Sequence, residues 1–376
     1  MRSLLQPPEF VDTEDGLGSM LRALDDVSVI ALDCEMSSFW SYAGRVCLVQ
    51  VSDGEREWIV DPLSVDIAVF GPLCADPDRV KIFHDAEFDV RQLKRDYGFT
   101  FQAIFDTRAA SAVLGCTTPG LASVLKDRFE VVLSKKLQRA DWTQRPLTDE
   151  ARRYAQLDVA YLHELRKELI VELQDAGRLP ILETEHRRLQ TLPPLGAPYA
   201  LEDYGRIKGS ARLDGHARRR LCEVYRVRDE IARAWDRAPF RVLGNQVLME
   251  IATTPPSDVE ELMSKRGFPK RRASEVARQI LEGLNRAASM TPIERNPKRR
   301  DSVSIPRKDQ ERYDAVRSLR AAYAAEHTLD GSLVLQKAKM VRLAIEPPAD
   351  MATLAEVLDP WQLEAYGAPL LALLQR

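Results

Sequence analysis

Apolar positions in residues 1–200 switch between two periods. Short runs of branched and aromatic residues, bounded by turn residues, predict strands over 27–36, 45–52 and 57–61, with a turn at "SDGE" (52–55). Two further runs, "VKIFH" (80–84) and "AIFDT" (103–107), each lead into a stretch of helical period, the first being "AEFDVRQLKRDYG". From Thr148 to about Gln190 the period is helical throughout. Thr148 predicts the start of that segment, because a hydroxyl N-cap precedes two acids that face the positive end of the helix dipole. Strands in a meander, then strands alternating with helices, predict a mixed α/β sheet.

After that segment the pattern changes. "TLPPLGAPYALEDYG" (191–205) holds three prolines and two glycines and predicts a linker, beyond which strand signals fade and helices dominate. A second break covers 289–309. The segments on either side of it repeat at a constant offset of 92: Val242, Leu243, Ala252, Pro255, Pro256, Asp258 and Leu262 recur as Val334, Leu335, Ala344, Pro347, Pro348, Asp350 and Leu354. Upstream, Val224, Arg228 and Ala232 recur as Val316, Arg320 and Ala324. Two small helical domains of one type therefore follow the α/β domain. The expected division is 1–190, a linker over 191–205, a first helical domain over 206–288, a linker over 289–305 and a second helical domain over 306–376.

Composition adds limits. A chain of 376 residues, 45% hydrophobic and 30% charged, has material for two or three cores. No apolar run approaches the ~18 residues that span a membrane, and the first residues lack an apolar signal segment. Five cysteines at irregular spacing, with no C-x-x-C, argue against a disulfide framework and a zinc site and point to a reduced, cytoplasmic protein. The net charge of −3 hides an asymmetry: residues 1–200 balance at −9 and residues 201–376 at +6. An acidic front half suits cations and a basic back half suits a polyanion, although scatter over a solvated surface gives the same totals. The first helical copy carries eleven basic and five acidic residues between Arg206 and Arg241, plus "KRGFPKRR" at 265–272, whereas the second has acids in matching places. The first copy is expected to meet a phosphate backbone and the second to be architectural.

Candidate chemistry begins at "VIALDCEM", where a core strand ends on Asp33 and Glu35. Strand side chains alternate, so both carboxylates share one face and repel unless a cation lies between them. Oxygen donors suit Mg²⁺ or Mn²⁺. Alone, the pair also fits a strand that emerges into solvent. Asp89, early in the helix after a strand, and Tyr154 and Asp158, one helical turn apart, shift the balance.

These segments carry a resemblance. "ALDCEM", "KIFHDAEFDVRQL" and "DWTQRPLTDEARRYAQLDVAYL" resemble the three motifs of the DEDD-superfamily 3′→5′ exonucleases, the ribonuclease D family above all. The helical copies look like that family's tandem HRDC domains. The resemblance implies a ribonuclease-H-like α/β exonuclease domain with a mixed sheet, followed by two all-α HRDC-like domains. It implies a hydrolase that takes nucleoside 5′-monophosphates from RNA 3′-hydroxyl ends, tRNA precursors among them, as a monomer. Matched position by position, Asp33, Glu35, Asp89 and Asp158 are the metal-binding acids and Tyr154 the catalytic tyrosine. Arg153 stands where the histidine subclass would place its histidine, so the chain is of the tyrosine type. Two cations about 4 Å apart would be held, Asp33 bridging them. Asp85 is the alternative acid of the second motif.

Around these lie candidates for substrate contact. Met36 stands where many relatives have an aromatic. His84 is either a contact to the terminal nucleotide or a satisfied strand-end histidine. Phe88, Phe39 and Trp40 are candidates to stack on bases, with core packing the favoured reading for Phe88. Arg145 is either a phosphate contact or the ion-pair partner of a ligand acid. Trp142 reads as structural, Asp106 as a capping acid, and Lys135 and Lys136 as backbone contacts or a solvated face. A DNA exonuclease and a non-catalytic RNA-binding scaffold are the competing functions.

Overall fold

The computed structural model describes residues 6–134, 136–197, 199–297 and 305–375. Lys135 and residues 298–304, in the expected second linker, lie outside the described residues. Of the described residues, those within 1–35, 46–195 and 303–376 make one compact unit, and those within 36–45 and 196–302 make another.

The first unit is built on a six-stranded sheet: β1 (Glu9–Val11), β2 (Val29–Met36), β3 (Val46–Ser52), β4 (Glu57–Val60), β5 (Val80–Phe83) and β6 (Ile104–Asp106). Their order is β1-β4-β3-β2-β5-β6. β4 pairs antiparallel with β3 and parallel with β1, while β5 pairs parallel with β2 and with β6. The sheet is mixed, as the pattern predicted. β1 was not predicted: three residues, "EFV", are too short to show a period, and they become a strand by pairing with β4. β2 lies inside the sheet, between β3 and β5. Parallel strands are covered on both faces, so its end is a place where a buried polar side chain can be held in one geometry.

The long helical segment is three helices, Asp149–Ala160, Leu162–Asp175 and Leu179–Thr191. Gly177, at φ +65°, supplies the left-handed turn before the third. Thr148 caps the first as expected, its hydroxyl accepting the Ala151 N–H at 3.1 Å. Leu165, Leu169, Leu173 and Leu182 from these helices share one buried core with Ala31 and Ile82 of the sheet and with Val316, Leu335, Leu343 and Leu370 of the C-terminal helices. Arg178 joins the parts directly, donating to the Val113 carbonyl at 2.8 Å and the His327 carbonyl at 2.7 Å.

The second unit packs the helices Gly215–Ala234, Asn245–Thr253, Val259–Ser264 and Ala273–Ala288 around Leu221, Val227, Leu248 and Ile280. Residues 36–45 belong to it: the Tyr42 hydroxyl donates to Asp229 at 2.6 Å, and the Ala238 N–H to the Trp40 carbonyl at 3.0 Å.

Three hydrogen bonds recur across the repeat read from the sequence. Arg220 Nε donates to the Ala252 carbonyl at 2.7 Å, and Arg312 Nε to that of Ala344 at 2.9 Å. Arg228 donates to the Leu243 carbonyl at 3.2 Å, and Arg320 to that of Leu335 at 3.3 Å. Asp258 caps the Glu261 N–H at 2.9 Å, and Asp350 the Thr353 N–H at 2.8 Å. Among the described residues no helix is long and apolar enough to cross a membrane.

Candidate active site

In β2, Ala31, Asp33 and Glu35 point to one face and Ile30, Leu32 and Cys34 to the other. Ala31 shares its buried core with Val159 and Leu162, so this face looks onto the helix Asp149–Ala160. That helix carries Asp158 to the strand end. Asp33, Glu35 and Asp158 each offer a carboxylate oxygen, and the three oxygens lie within 4.8 Å of one another.

Without a counter-charge the arrangement is costly. Two full negative charges at that spacing repel by roughly 3–4 kcal/mol at an effective dielectric of about 20. Burial drives the Asp33 carboxyl up to about 7. Burial, then Asp33, Asp158 and Asp89, push Glu35 well above the usual carboxylate range, and burial, then Asp33, does the same to Asp158. The donor set is oxygen only, and Cys34 faces away from it. Such a set fits a hard divalent cation.

Asp89 lies in the first turn of the helix Glu87–Tyr97 and is buried. Its carboxyl is raised by burial and then by Asp33, Asp85, Asp106 and Asp158, which places it in the field of the cluster. Asp85, the alternative, has an exposed side chain paired with Arg108 at 3.5 Å. Its backbone takes the left-handed region, φ +71°, to turn from β5 into the helix.

Tyr154 stands one turn before Asp158, and together with Asp33 and Glu35 they line a cleft of about 280 Å³. The Tyr154 phenol is raised by burial and then by Asp158, Glu35 and Asp33. The buried Trp142 backs its ring at 5.8 Å between centroids, which fits a structural role for Trp142. Next to the cleft, and sharing Tyr154, Asp158, Leu121 and Gln138 with it, is a larger cavity of about 610 Å³ with an apolar wall that includes Leu133, Leu137 and Leu157. Leu121, Gln138 and Arg108 line the site but were missed in the sequence, where an isolated Leu, Gln or Arg carries no signal.

Other candidates sort clearly. His84 also lines the cleft; its Nδ1 meets the Thr107 hydroxyl at 2.9 Å, and burial lowers its pKa to about 4. Phe88 is 44% exposed, which overturns core packing for it. Met36 is half-buried at the end of β2. Lys136 is exposed. Asp106 caps the helix Thr107–Val113.

Arg145 requires a correction. Its partner is Asp61, reached by Nε and Nη2 at 2.6 Å each, and not one of the clustered acids. Its remaining donors go to the carbonyls of Trp142, Gln144 and Cys47. All five N–H groups are used inside the protein, so none is left for a phosphate.

Comparison with known proteins gives the following relatives. Residues 8–174 match the 3′-5′ exonuclease family and residues 217–284 the HRDC domain. The chain is similar to a ribonuclease D of Pseudomonas paraeruginosa, 30% identical over 76% of each chain. It is 32% identical over 68% of its length to the exosome complex exonuclease RRP6 of Saccharomyces cerevisiae, of which it covers 37%; it spans about a third of the length of the RRP6-type relatives it matches. The solved structure of Escherichia coli RNase D, described as an exoribonuclease involved in structured RNA processing, superposes with a TM-score of 0.69 at 25% identity, over 98% of this chain and 99% of that one.

Proposed function

The chain belongs to the ribonuclease D family, and from that membership and the acid cluster we propose that it is a divalent-metal-dependent 3′→5′ exoribonuclease releasing nucleoside 5′-monophosphates. The observation that carries the reading is the convergence of Asp33, Glu35 and Asp158 within 4.8 Å from two distant segments. These three side chains, with Asp89 beside them, are the proposed ligands of two cations. Bound there, such ions supply a readily ionised water and positive charge against the scissile phosphate.

The chain's own groups do the positioning. Tyr154, kept protonated by its surroundings, orients the attacking water in line with the phosphate, and Trp142 holds its ring in place. His84 and the exposed Phe88 receive the terminal nucleotide, with the apolar wall at Leu121 and Leu137 in the adjoining cavity. The proposed substrate is RNA with a free 3′-hydroxyl, tRNA precursors among such ends. The proposed domain boundaries are those read from the sequence, a nuclease over 1–190 and HRDC-type domains over 206–288 and 306–376.

The test is a labelled RNA with a 3′ trailer, incubated with Mg²⁺ or Mn²⁺ in turn beside a matched DNA strand. Mononucleotide release from the RNA that disappears in Asp33→Asn supports the reading. No release, or release that survives Asp33→Asn, overturns it.

A further inference from the structure

The second unit carries a pocket that the reaction does not use. Trp235 ends the helix Gly215–Ala234, Arg237 follows it, and Arg271 and Arg272 precede the helix Ala273–Ala288. With Ala234, these four side chains line a pocket of about 240 Å³ that has no carboxylate in its wall. The Arg272 guanidinium lies over the Trp235 ring, 5.0 Å from its centroid, and reaches Glu275 only at 3.9 Å. Neither Arg237 nor Arg271 has an ion-pair partner among the described residues. No side chain caps the Ala273–Ala288 helix, so its first N–H groups add to the same positive end.

Three guanidinium groups gathered with a single carboxylate, Glu275, at the edge of reach repel one another. The tandem copy is the internal control. At the offset of 92, Trp235 and Arg237 become His327 and Leu329. The backbone is kept: the Arg237 N–H bonds the Ala232 carbonyl at 2.8 Å, and the Leu329 N–H bonds that of Ala324 at 2.9 Å. Leu329 is buried there as an ordinary core residue. The turn after the long helix thus forms with leucine in place of Arg237, and that arginine is not required by the turn.

We propose that this pocket binds a phosphate of the RNA strand, with Arg237, Arg271 and Arg272 as its donors and the Trp235 ring as the platform for an adjoining base. Guanidinium forks match phosphate oxygens in geometry and charge, and an indole beside them suits an unpaired base. The proposal rests on the reading of the chain as an RNA exonuclease, and makes the first helical copy a second point of grip on the substrate.

The test uses the full chain. Binding of a single-stranded RNA of about twenty nucleotides is followed by fluorescence anisotropy in EDTA across a salt series, for the parent, for Arg237→Ala/Arg271→Ala/Arg272→Ala, and for Arg271→Glu as a second variant should the triple change unfold the unit. Arg317→Ala, the removal of an exposed arginine on the second copy, controls for charge alone. The expected result is at least tenfold weaker binding in both pocket variants, and a salt slope shallower by about 0.7 for each phosphate left without its arginine. A dinucleoside monophosphate, whose single phosphate is taken by the active site, should be cut by the pocket variants at the parent's rate, with KM rising only for the long RNA. Affinity within twofold of the parent, or an equal weakening in Arg317→Ala, overturns the proposal. If the parent cuts no RNA, the exonuclease reading fails, while the anisotropy comparison still decides the pocket.

Discussion

The Asp106 carboxylate accepts the Ala86 N–H at 2.8 Å, and so ties the end of β6 to the turn that leads into the helix bearing Asp89. Its other oxygen accepts the N–H groups of Asp85, Arg108 and Ala109. Asp106 is buried, and its own N–H donates to His186, whose pKa burial lowers to about 3 and which therefore stays a neutral acceptor. One side chain thus serves two helix starts. Asp106→Ala is expected to destabilise the protein by about 2–3 kcal/mol, read by urea denaturation. It should also lower kcat in the molecules that remain folded, because the turn that positions Asp89 is released. A kcat unchanged at low temperature would mean that the turn holds its place without Asp106.

Asp33→Asn should separate function from stability. Removing one of the mutually repelling carboxylates relieves the strain of the metal-free cluster, so the variant should be more stable than the parent in EDTA at pH 8, by about 1 kcal/mol. Its RNA cleavage should fall by at least about 100-fold, since metal sites already lose 10- to 100-fold when an outer partner is removed. A variant both inactive and less stable in EDTA would show that the carboxylate is not under repulsion.

The raised carboxyl groups give a pH dependence of defined sign. The folded state holds Asp33 at about 7, far above its unfolded value, and Glu35, Asp89 and Asp158 are raised as well. Between about pH 4 and pH 7 the metal-free native state therefore binds more protons than the unfolded chain. Stability from these groups is fully present below pH 4 and is lost as pH rises through the folded values. Thermal melts in EDTA should show that fall, and saturating Mg²⁺ should raise Tm more at pH 8 than at pH 5. Equal Mg²⁺ shifts at both values would exclude the cluster as the binding site.

Arg145 should behave as a structural residue. Burial pushes the Asp61 carboxyl up, but hydrogen bonds from Arg145 and from the Leu63 N–H outweigh it and hold the pKa below the ordinary value. Losing the guanidinium strands a carboxylate that is 2% exposed, so Arg145→Ala should cost about 3 kcal/mol. Arg145→Lys should recover only part, because lysine lacks the fork. Measured well below the melt, kcat and KM should stay near those of the parent; a selective rise in KM would restore a phosphate contact.

Phe88 offers the opposite pattern. Phe88→Ala should leave stability within about 0.5 kcal/mol. If the ring stacks on a base, KM for RNA should rise by roughly five- to a hundredfold. An unchanged KM would remove Phe88 from the site.

The acids were legible in the sequence because each lies where local pattern fixes the geometry. Asp33 and Glu35 end a strand whose alternation gives them one face, and Tyr154 and Asp158 are one turn apart on a helix whose start Thr148 announces. The partner of Arg145 was not legible, since Asp61 lies 84 positions away and nothing local couples the two. What the second helical copy packs against was not legible for a similar reason. Leu165 and Leu335 lie far apart in the chain, yet both belong to one buried cluster. Periodicity shows that a face is apolar without showing what covers it.

That shared cluster bears on how the molecule is born. While a ribosome is still making it, the sheet and its acids are complete long before Val316, Leu335 and Leu370 emerge to close the layer behind them. Full rigidity of the cutting centre therefore waits until these three residues have been added, and a product cut short before Val316 would carry every acid of the site on a scaffold missing one wall.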